Sequence, residues 1–330
     1  LMTNDLWRPS ASMMALKKRA RLLREVRAYF DARGVMEVET PILSSSATVD
    51  VYIDSFATEF SPIGHGKSQL CYLHTSPEFA MKRLLAAGSG DIYSLGRVFR
   101  NGEAGGRHNP EFTMLEWYRM GMNDQRLMDD VADLLSSVCH FREARRCSYG
   151  ELFEQYLGVN PYNATDEVLG QLVSKKVDAK LQGLERSDCL DLLFSKFVEP
   201  NLGSGDSEVL EGYFVYDYPA AMSALARLAT SRNGHPVAAR FELFVNGVEL
   251  ANGYHELLDA QEQKKRFEKE QQKRQERGYD IYPYNKHMLA ALTHGMPDCA
   301  GVAMGIDRLL MLMLGTDNIN NVLTFDFDRA

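Results

Sequence analysis

The residues best equipped for chemistry fall in four short stretches. The first is Phe99-Arg100-Asn101, a loop rich in glycine, and then His108-Asn109-Pro110-Glu111-Phe112. Two strands joined by such a loop can hold a nucleotide between them. The Arg100 guanidinium offers a planar fork to a phosphate, and the Phe112 ring can lie flat against a base. On the second strand a period of two puts Phe112, Met114, Glu116 and Tyr118 on one face. That face carries an aromatic platform, a carboxylate and a phenol. The plain alternative is a half-buried strand with a chance glutamate.

The other three are shorter. In Thr75-Ser76-Pro77-Glu78, Ser76 could cap a helix that Pro77 starts, and Glu78 could simply complement the helix dipole. In Glu249-Leu250-Ala251-Asn252-Gly253-Tyr254-His255-Glu256, the two end carboxylates fall on opposite faces of a straight strand. They face one site only if a bulge or bend intervenes, and Gly253 is the expected place for it. Otherwise this is an edge strand with solvent-facing acids. In Gly301-Val302-Ala303-Met304-Gly305-Ile306-Asp307-Arg308, the glycines let a ligand approach the backbone, and Arg308 stands at the start of an apolar helix. As a bare pattern, Gly-x-x-x-Gly reads as core packing.

These stretches need elements to position them. Leu16, Ala20, Leu23, the stem of Arg27 and Phe30 predict an amphipathic helix over 13–33, stopped by Gly34. A strand over 35–40 ends at Pro41, another runs over 70–73, and a helix spans 77–87 ahead of Gly88. The hairpin that follows has strands at 92–99 and 111–119. Residues 123–200 read as helical: one stripe is Leu127, Val131, Leu134 and Val138, and another is Leu190, Leu193 and Phe197. Ser148 and Glu151 are spaced as a capping box for a helix that Gly158 ends. The stretch 201–211 reads as a mobile loop. Strands resume at Tyr213, and Asn246-Gly247 is the favoured turn between strands at 239–245 and 248–251. Residues 260–277, almost all Gln, Lys, Arg and Glu, read as a solvated helix. The order predicts an α+β fold with a largely antiparallel sheet.

Composition narrows the function classes. The 330 residues carry a formal net charge of −8, so bulk electrostatics do not favour nucleic acid. The five cysteines are odd in number and lack a Cys-x-x-Cys pair, which suggests neither a zinc site nor a disulfide framework but reduced thiols in a cytoplasmic protein. No apolar run reaches the roughly 18 residues of a membrane span.

Taken in order, the stretches resemble the catalytic domain of a class II aminoacyl-tRNA synthetase, specifically the lysyl type. Residues 34–41 look like that class's first motif, a dimer element; 97–119 look like its second and 301–313 like its third. The resemblance spans 13–330 as one catalytic domain: a mostly antiparallel sheet flanked by helices, with a helical insert at about 121–212. Only about a dozen residues precede the first helix, so no anticodon-binding domain is expected. In that respect the chain is similar to the shortened lysyl-tRNA synthetase paralogues that modify elongation factor P.

The resemblance implies the following roles. Arg100 and Arg308 are catalytic, Arg100 on the α-phosphate of ATP and Arg308 on the far phosphates. Asn101, Gly102, Glu103, Asn109, Phe112, Glu249, Leu250 and Gly305 complete the ATP site, with Glu249 also near Mg2+. Ser76, Pro77, Glu78, Tyr118, Glu256 and Ala303 surround the amino-acid substrate. A diamine brings two ammonium groups that need buried acceptors, and Glu78 and Glu256 can supply one each. The implied reaction is activation of (R)-β-lysine as an adenylate and its transfer to a lysine ε-amine of elongation factor P. A homodimer is implied, with no tRNA and no membrane among its partners. The family's second motif usually has Glu two residues after its Arg; here Gly102 stands there and Glu103 follows. Ala303 stands where lysyl-tRNA synthetases carry Gly, and one extra methyl in a tight pocket can change the substrate accepted. Three rivals are a shortened lysyl-tRNA synthetase that charges tRNA with lysine, an asparagine-synthetase-like relative and a non-catalytic regulatory paralogue. An acidic substrate calls for a basic pocket, whereas the matched residues here are Glu78 and Glu256. A regulatory paralogue tends to lose the motif arginines, and both are kept.

Overall fold

The computed structural model describes residues 5–64, 66–142, 144–203 and 210–330. The chain divides into two compact units, one of residues 1–121, 258–299 and 303–330, the other of 122–257 and 300–302. The first begins with helix α1 (Met13–Asp31), whose Ser12 side chain accepts from the Ala15 amide. Its buried face is Ala15, Arg19, Leu22, Val26, Tyr29 and Phe30. That face is turned one residue from the expected stripe, because Arg19 is drawn inward by an ion pair. Strands β1 (Met36–Glu37), β2 (Leu43–Ser44), β3 (Ala57–Phe60) and β4 (Gln69–Leu73) follow, then α2 (Glu78–Ala86). β1 keeps only two residues of the expected strand, pairing in parallel with β5 (Ile92–Phe99). β5 pairs antiparallel with β6 (Glu111–Met120), with Ser94 opposite Glu116 and Val98 opposite Phe112. Phe30 stacks on Tyr93 and meets Trp117 edge-on, which fastens α1 to this hairpin.

The second unit begins with α3 (Asp124–Val138), which buries the whole expected stripe. A short strand, β7 (Arg145–Ser148), interrupts the helical region because it pairs in parallel with a later strand. Next come α4 (Tyr149–Leu157), α5 (Asp166–Lys176) and α6 (Arg186–Phe197). The capping box at Ser148 and Glu151 is present, and Gly158 ends α4 in the left-handed conformation. The expected loop at 201–211 falls largely on residues outside the described ones. β8 (Gly212–Pro219), β9 (Leu228–Thr230), β10 (Pro236–Val245) and β11 (Val248–His255) complete the unit. β10 lies between β8 and β11, antiparallel to both, and β9 adds to one end of β10. Asn246 and Gly247 both have positive φ, as the two-residue turn requires. Tyr149, Phe153, Phe194, Tyr218 and Phe244 are in this unit's core.

The chain then returns to the first unit with α7 (Ala260–Glu276) and α8 (Lys286–Gly295). α7 is not the solvated helix its composition suggests. Gln263, Phe267 and Arg274 are buried along one side. The last elements are β12 (Cys299–Gly305) and α9 (Ile306–Leu314), which Gly315 ends in the left-handed conformation.

Candidate active site

In the first unit, the loop after β5 is more tethered than a glycine-rich loop suggests. The Asn101 amide donates to the Asp54 carbonyl at 2.8 Å, Gly105 and His108 pair backbone to backbone, and the Ile319 amide donates to the Gly106 carbonyl. Gly102 takes φ +81, and the turn there brings the Glu103 carboxylate to 3.6 Å from Arg100. The Arg100 guanidinium also lies 5.2 Å from the Phe112 ring centroid. Its Nε is buried and has no hydrogen-bond partner among the described residues. A cationic donor left over in this way can take an anion.

Arg308 reaches the same loop, its Nη2 donating to His108 Nε2 at 2.7 Å. The Arg308 stem lies beside Gly305, where a Cβ would meet its Cδ at 3.7 Å. Ala303 and Gly305 are half-buried and alternate along β12 with the buried Val302 and Met304. Asn109, expected at the nucleotide, lies at the end of the same loop. It is buried, its Nδ2 donates to the Glu111 carbonyl, and its Oδ1 accepts from the Phe327 amide. Its amide holds the loop to the C-terminal turn.

The residues expected around an amino acid gather on α2 and β6. Pro77 is the N-cap of α2 and offers no side-chain cap. Ser76 Oγ accepts from the Glu78 amide at 3.0 Å and donates to Glu116 Oε2 at 2.7 Å. Tyr118 donates to Glu116 Oε1 at 2.8 Å. Glu116 is buried at 3% exposure and joins Ser76 to Tyr118, which makes it a further candidate on the face that carries Phe112. Lys82, on the same helix, also bears on Glu78. Its buried ammonium donates to Glu78 Oε1 at 2.6 Å, so part of the Glu78 charge is already answered by the protein. Its spacing of four from Glu78 on a helix was the available signal.

In the second unit, Glu249 comes onto the same face of β11 as Asn252 and Tyr254, but not through Gly253, and Glu256 lies just past the strand's end. Leu243 faces Ala251 and Phe244 faces Glu249, so Leu250 is the extra residue of a β-bulge. Gly253 answers a different need: a Cβ there would meet the Phe241 ring at 2.5 Å. β11 has β10 and β12 as strand neighbours, so it is not an edge. Opposite Asn252 on β10 stands Glu242, a further carboxylate the sequence did not single out. Glu242 pairs with Arg240 and accepts from the Tyr218 hydroxyl at 2.6 Å. Burial pushes its carboxyl above the usual range, Arg240 opposes that, and the nearby Glu249 adds to it.

Comparison with known proteins bears on this arrangement. The chain matches the class II tRNA synthetase family (D, K and N) over residues 3–329. It belongs to that family. Full-length relatives agree. A protein of Vibrio cholerae named elongation factor P–(R)-β-lysine ligase is 47% identical over all of both chains. Its namesake in Pseudoalteromonas translucida is 46% identical over all of both. One from Salmonella arizonae is 45% identical over 98% of each. The motif-like segments at 97–119 and 301–313 are those that carry Arg100, Phe112 and Arg308. As a class II synthetase-like ligase, the chain uses ATP.

Proposed function

We propose that the chain activates (R)-β-lysine with ATP and transfers it to a lysine ε-amine of elongation factor P. The full-length relatives named elongation factor P–(R)-β-lysine ligase carry this reading. The Arg100 cluster supports its ATP step: a guanidinium Nε without a protein partner among the described residues, beside an aromatic platform, with Arg308 reaching the same loop from α9. The substrate carboxylate attacks the α-phosphorus in line and pyrophosphate leaves. Arg100 binds the α-phosphate and Arg308 the far phosphates, stabilising charge as it develops. Phe112 carries the adenine. The acceptor amine, neutral when it attacks, then displaces AMP from the adenylate and an amide forms.

We assign Glu78, Glu116, Tyr118 and Glu256 to the amino-acid substrate, whose ammonium groups need buried acceptors. Ser76 orients Glu116, Pro77 sets the start of α2, and we assign Ala303 to the same substrate. Glu249 and Glu242 share a face, and Glu249 adds to the burial that raises the Glu242 carboxyl. Mg2+ would be held by Glu249 together with phosphates, since the ion binds through one or two carboxylates; both Glu242 oxygens already accept from Arg240 and Tyr218. When bound it would neutralise phosphate charge. Among the described residues no group of three or more His, Cys, Asp and Glu side chains converges, so phosphates and water would complete its shell.

The proposal includes a homodimer through 34–43, where Met36, Ile42 and Leu43 expose apolar surface. It also holds that tRNA is not the acceptor, in keeping with the charge of −8, and that the protein works in the cytoplasm. No helix among the described residues is long and apolar enough to cross a membrane. None of the five cysteines is in a disulfide.

The test is ATP–pyrophosphate exchange with α-lysine, (R)-β-lysine and (S)-β-lysine in parallel, followed by transfer to elongation factor P or to tRNA. Exchange is expected to be fastest with (R)-β-lysine, with the label ending on the protein. Robust charging of tRNA would overturn the proposal.

A further inference from the structure

Arg19 is a cation in the buried face of α1, far in sequence from every residue assigned above. Its side chain is 9% exposed and that of Asp307 is 2% exposed. Arg19 Nη1 donates to Asp307 Oδ1 at 2.5 Å and Nη2 donates to Thr113 Oγ1 at 2.6 Å. The Thr113 amide donates to Asp307 Oδ2 at 2.7 Å. The three residues form a closed ring. The Val322 carbonyl lies at the edge, 3.4 Å from Arg19 Nη1.

Two of the three members adjoin the nucleotide residues. Thr113 follows Phe112 on β6, and Asp307 precedes Arg308 in the first turn of α9. Because side chains alternate along a strand, Thr113 turns inward where Phe112 turns to the site. Asp307 also complements the positive end of α9. A buried ion pair is a poor source of stability, since desolvation offsets most of the attraction. It is a good source of registry, because both of its charges are costly to leave unmatched. Here the register it sets is between the strand that bears the platform and the helix that bears the phosphate arginine.

We infer that Arg19 is a positioning residue for ATP: with Asp307 and Thr113 it holds Phe112 and Arg308 at the spacing a nucleotide requires. This rests on the assignment of Phe112 and Arg308 to ATP. Lysine cannot reproduce the fork, because one ammonium cannot match the directions of two guanidinium donors. Displacement of a binding group by about 1 Å costs on the order of 100-fold where geometry is demanding, and a smaller loss follows from a looser ring.

The experiment compares Thr113→Val, Thr113→Ser and Arg19→Lys in pyrophosphate exchange, with thermal midpoints recorded and Arg100→Ala as control. Thr113→Val and Arg19→Lys are expected to raise KM for ATP about tenfold and to leave KM for (R)-β-lysine unchanged. Thr113→Ser, which keeps the hydroxyl, restores the parent value. If Arg19→Lys does not fold, the two Thr113 variants still decide. A fall in thermal midpoint with no change in KM for ATP, or equal rises in both KM values, would leave Arg19 a purely structural residue and overturn the inference. If Arg100→Ala abolishes exchange while Thr113→Val behaves as the parent, only this inference fails. If Arg100→Ala has no effect, the ATP assignment fails and this inference with it.

Discussion

Arg100 and Glu103 stand 3.6 Å apart because Gly102 between them adopts φ +81, a conformation that side chains resist. Related second motifs place their glutamate at the position Gly102 fills. The turn lets the next residue reach the arginine instead, and we propose that Glu103 orients it. Both side chains are partly open to water, and such a pair adds little stability. Glu103→Gln should therefore leave the thermal midpoint nearly unchanged and raise KM for ATP by about fivefold, the equivalent of about 1 kcal/mol. Gly102→Ala meets no clash, since nothing lies within 4 Å of the new Cβ. Its cost is backbone strain of about 1 kcal/mol, and the same rise in KM should accompany it. Parent kinetics in both variants would remove Glu103 from the site.

Arg274 on α7 supports the same loop from behind. It has no exposure, stacks 4.4 Å from the Tyr282 ring, and donates to the Asp280 and Asp50 carbonyls and to the Asp54 carboxylate. Asp54 in turn accepts from the Asn101 amide. Arg274→Met should lower stability by about 2–4 kcal/mol, since buried carbonyls lose charged donors. Hydrogen exchange at the Asn101 amide should quicken more than the global loss requires. Unchanged exchange there would show that the Asp54 segment holds itself.

The elements that sequence could place are those with local causes. The β5–β6 hairpin, the capping box at Ser148 and the Asn246-Gly247 turn follow from neighbours along the chain. What it misplaced depends on distant partners. β7 is a strand because β8 comes back to pair with it. The α1 face is rotated because Asp307 draws Arg19 inward. α7 has a buried side because Arg274 has carbonyls and Asp54 to meet. The candidate residues divide the same way. Arg100, Phe112 and Arg308 stand out by motif, whereas Lys82, Glu116 and Glu242 gain significance only from what faces them. The bulge was anticipated from the odd spacing of two carboxylates, but its position at Leu250 depends on pairing with β10.

Asp217 gives a pH-dependent test that avoids the site. Burial pushes its carboxyl up from 3.8 to about 6, with Asp124 and Glu151 adding repulsion. The folded chain therefore holds a proton that the unfolded chain has released between those values, and stability falls as pH rises through that window. Asp217→Asn removes the repelled charge, and Asn tolerates the φ of +55 found there. The variant should be more stable than the parent above pH 6, by about 1 kcal/mol once solvent screening is allowed for. The two should converge below pH 4. A constant difference across the range would trace the effect to packing.

Glu256 offers the sharpest division between the two ligands. The bulge at Leu250 turns Glu249, Asn252 and Tyr254 to one face of the strand. Glu256 lies beyond the strand's last residue, bridged to Ala226 and 1% exposed. We assign it to a substrate ammonium, remote from the carboxylate that reacts. Glu256→Gln keeps the shape and removes the charge. A buried ammonium facing a neutral amide should lose roughly 2–5 kcal/mol of its binding, seen as a large rise in KM for (R)-β-lysine. KM for ATP should change little, because Arg100 and Arg308 bind the phosphates. Both constants are measured in the same variant by pyrophosphate exchange. Collapse of ATP binding with substrate binding intact would move Glu256 to the side of Glu249 and Glu242. If neither constant changes, Glu256 is structural, and the substrate's ammonium groups are held by Glu78 and Glu116 alone.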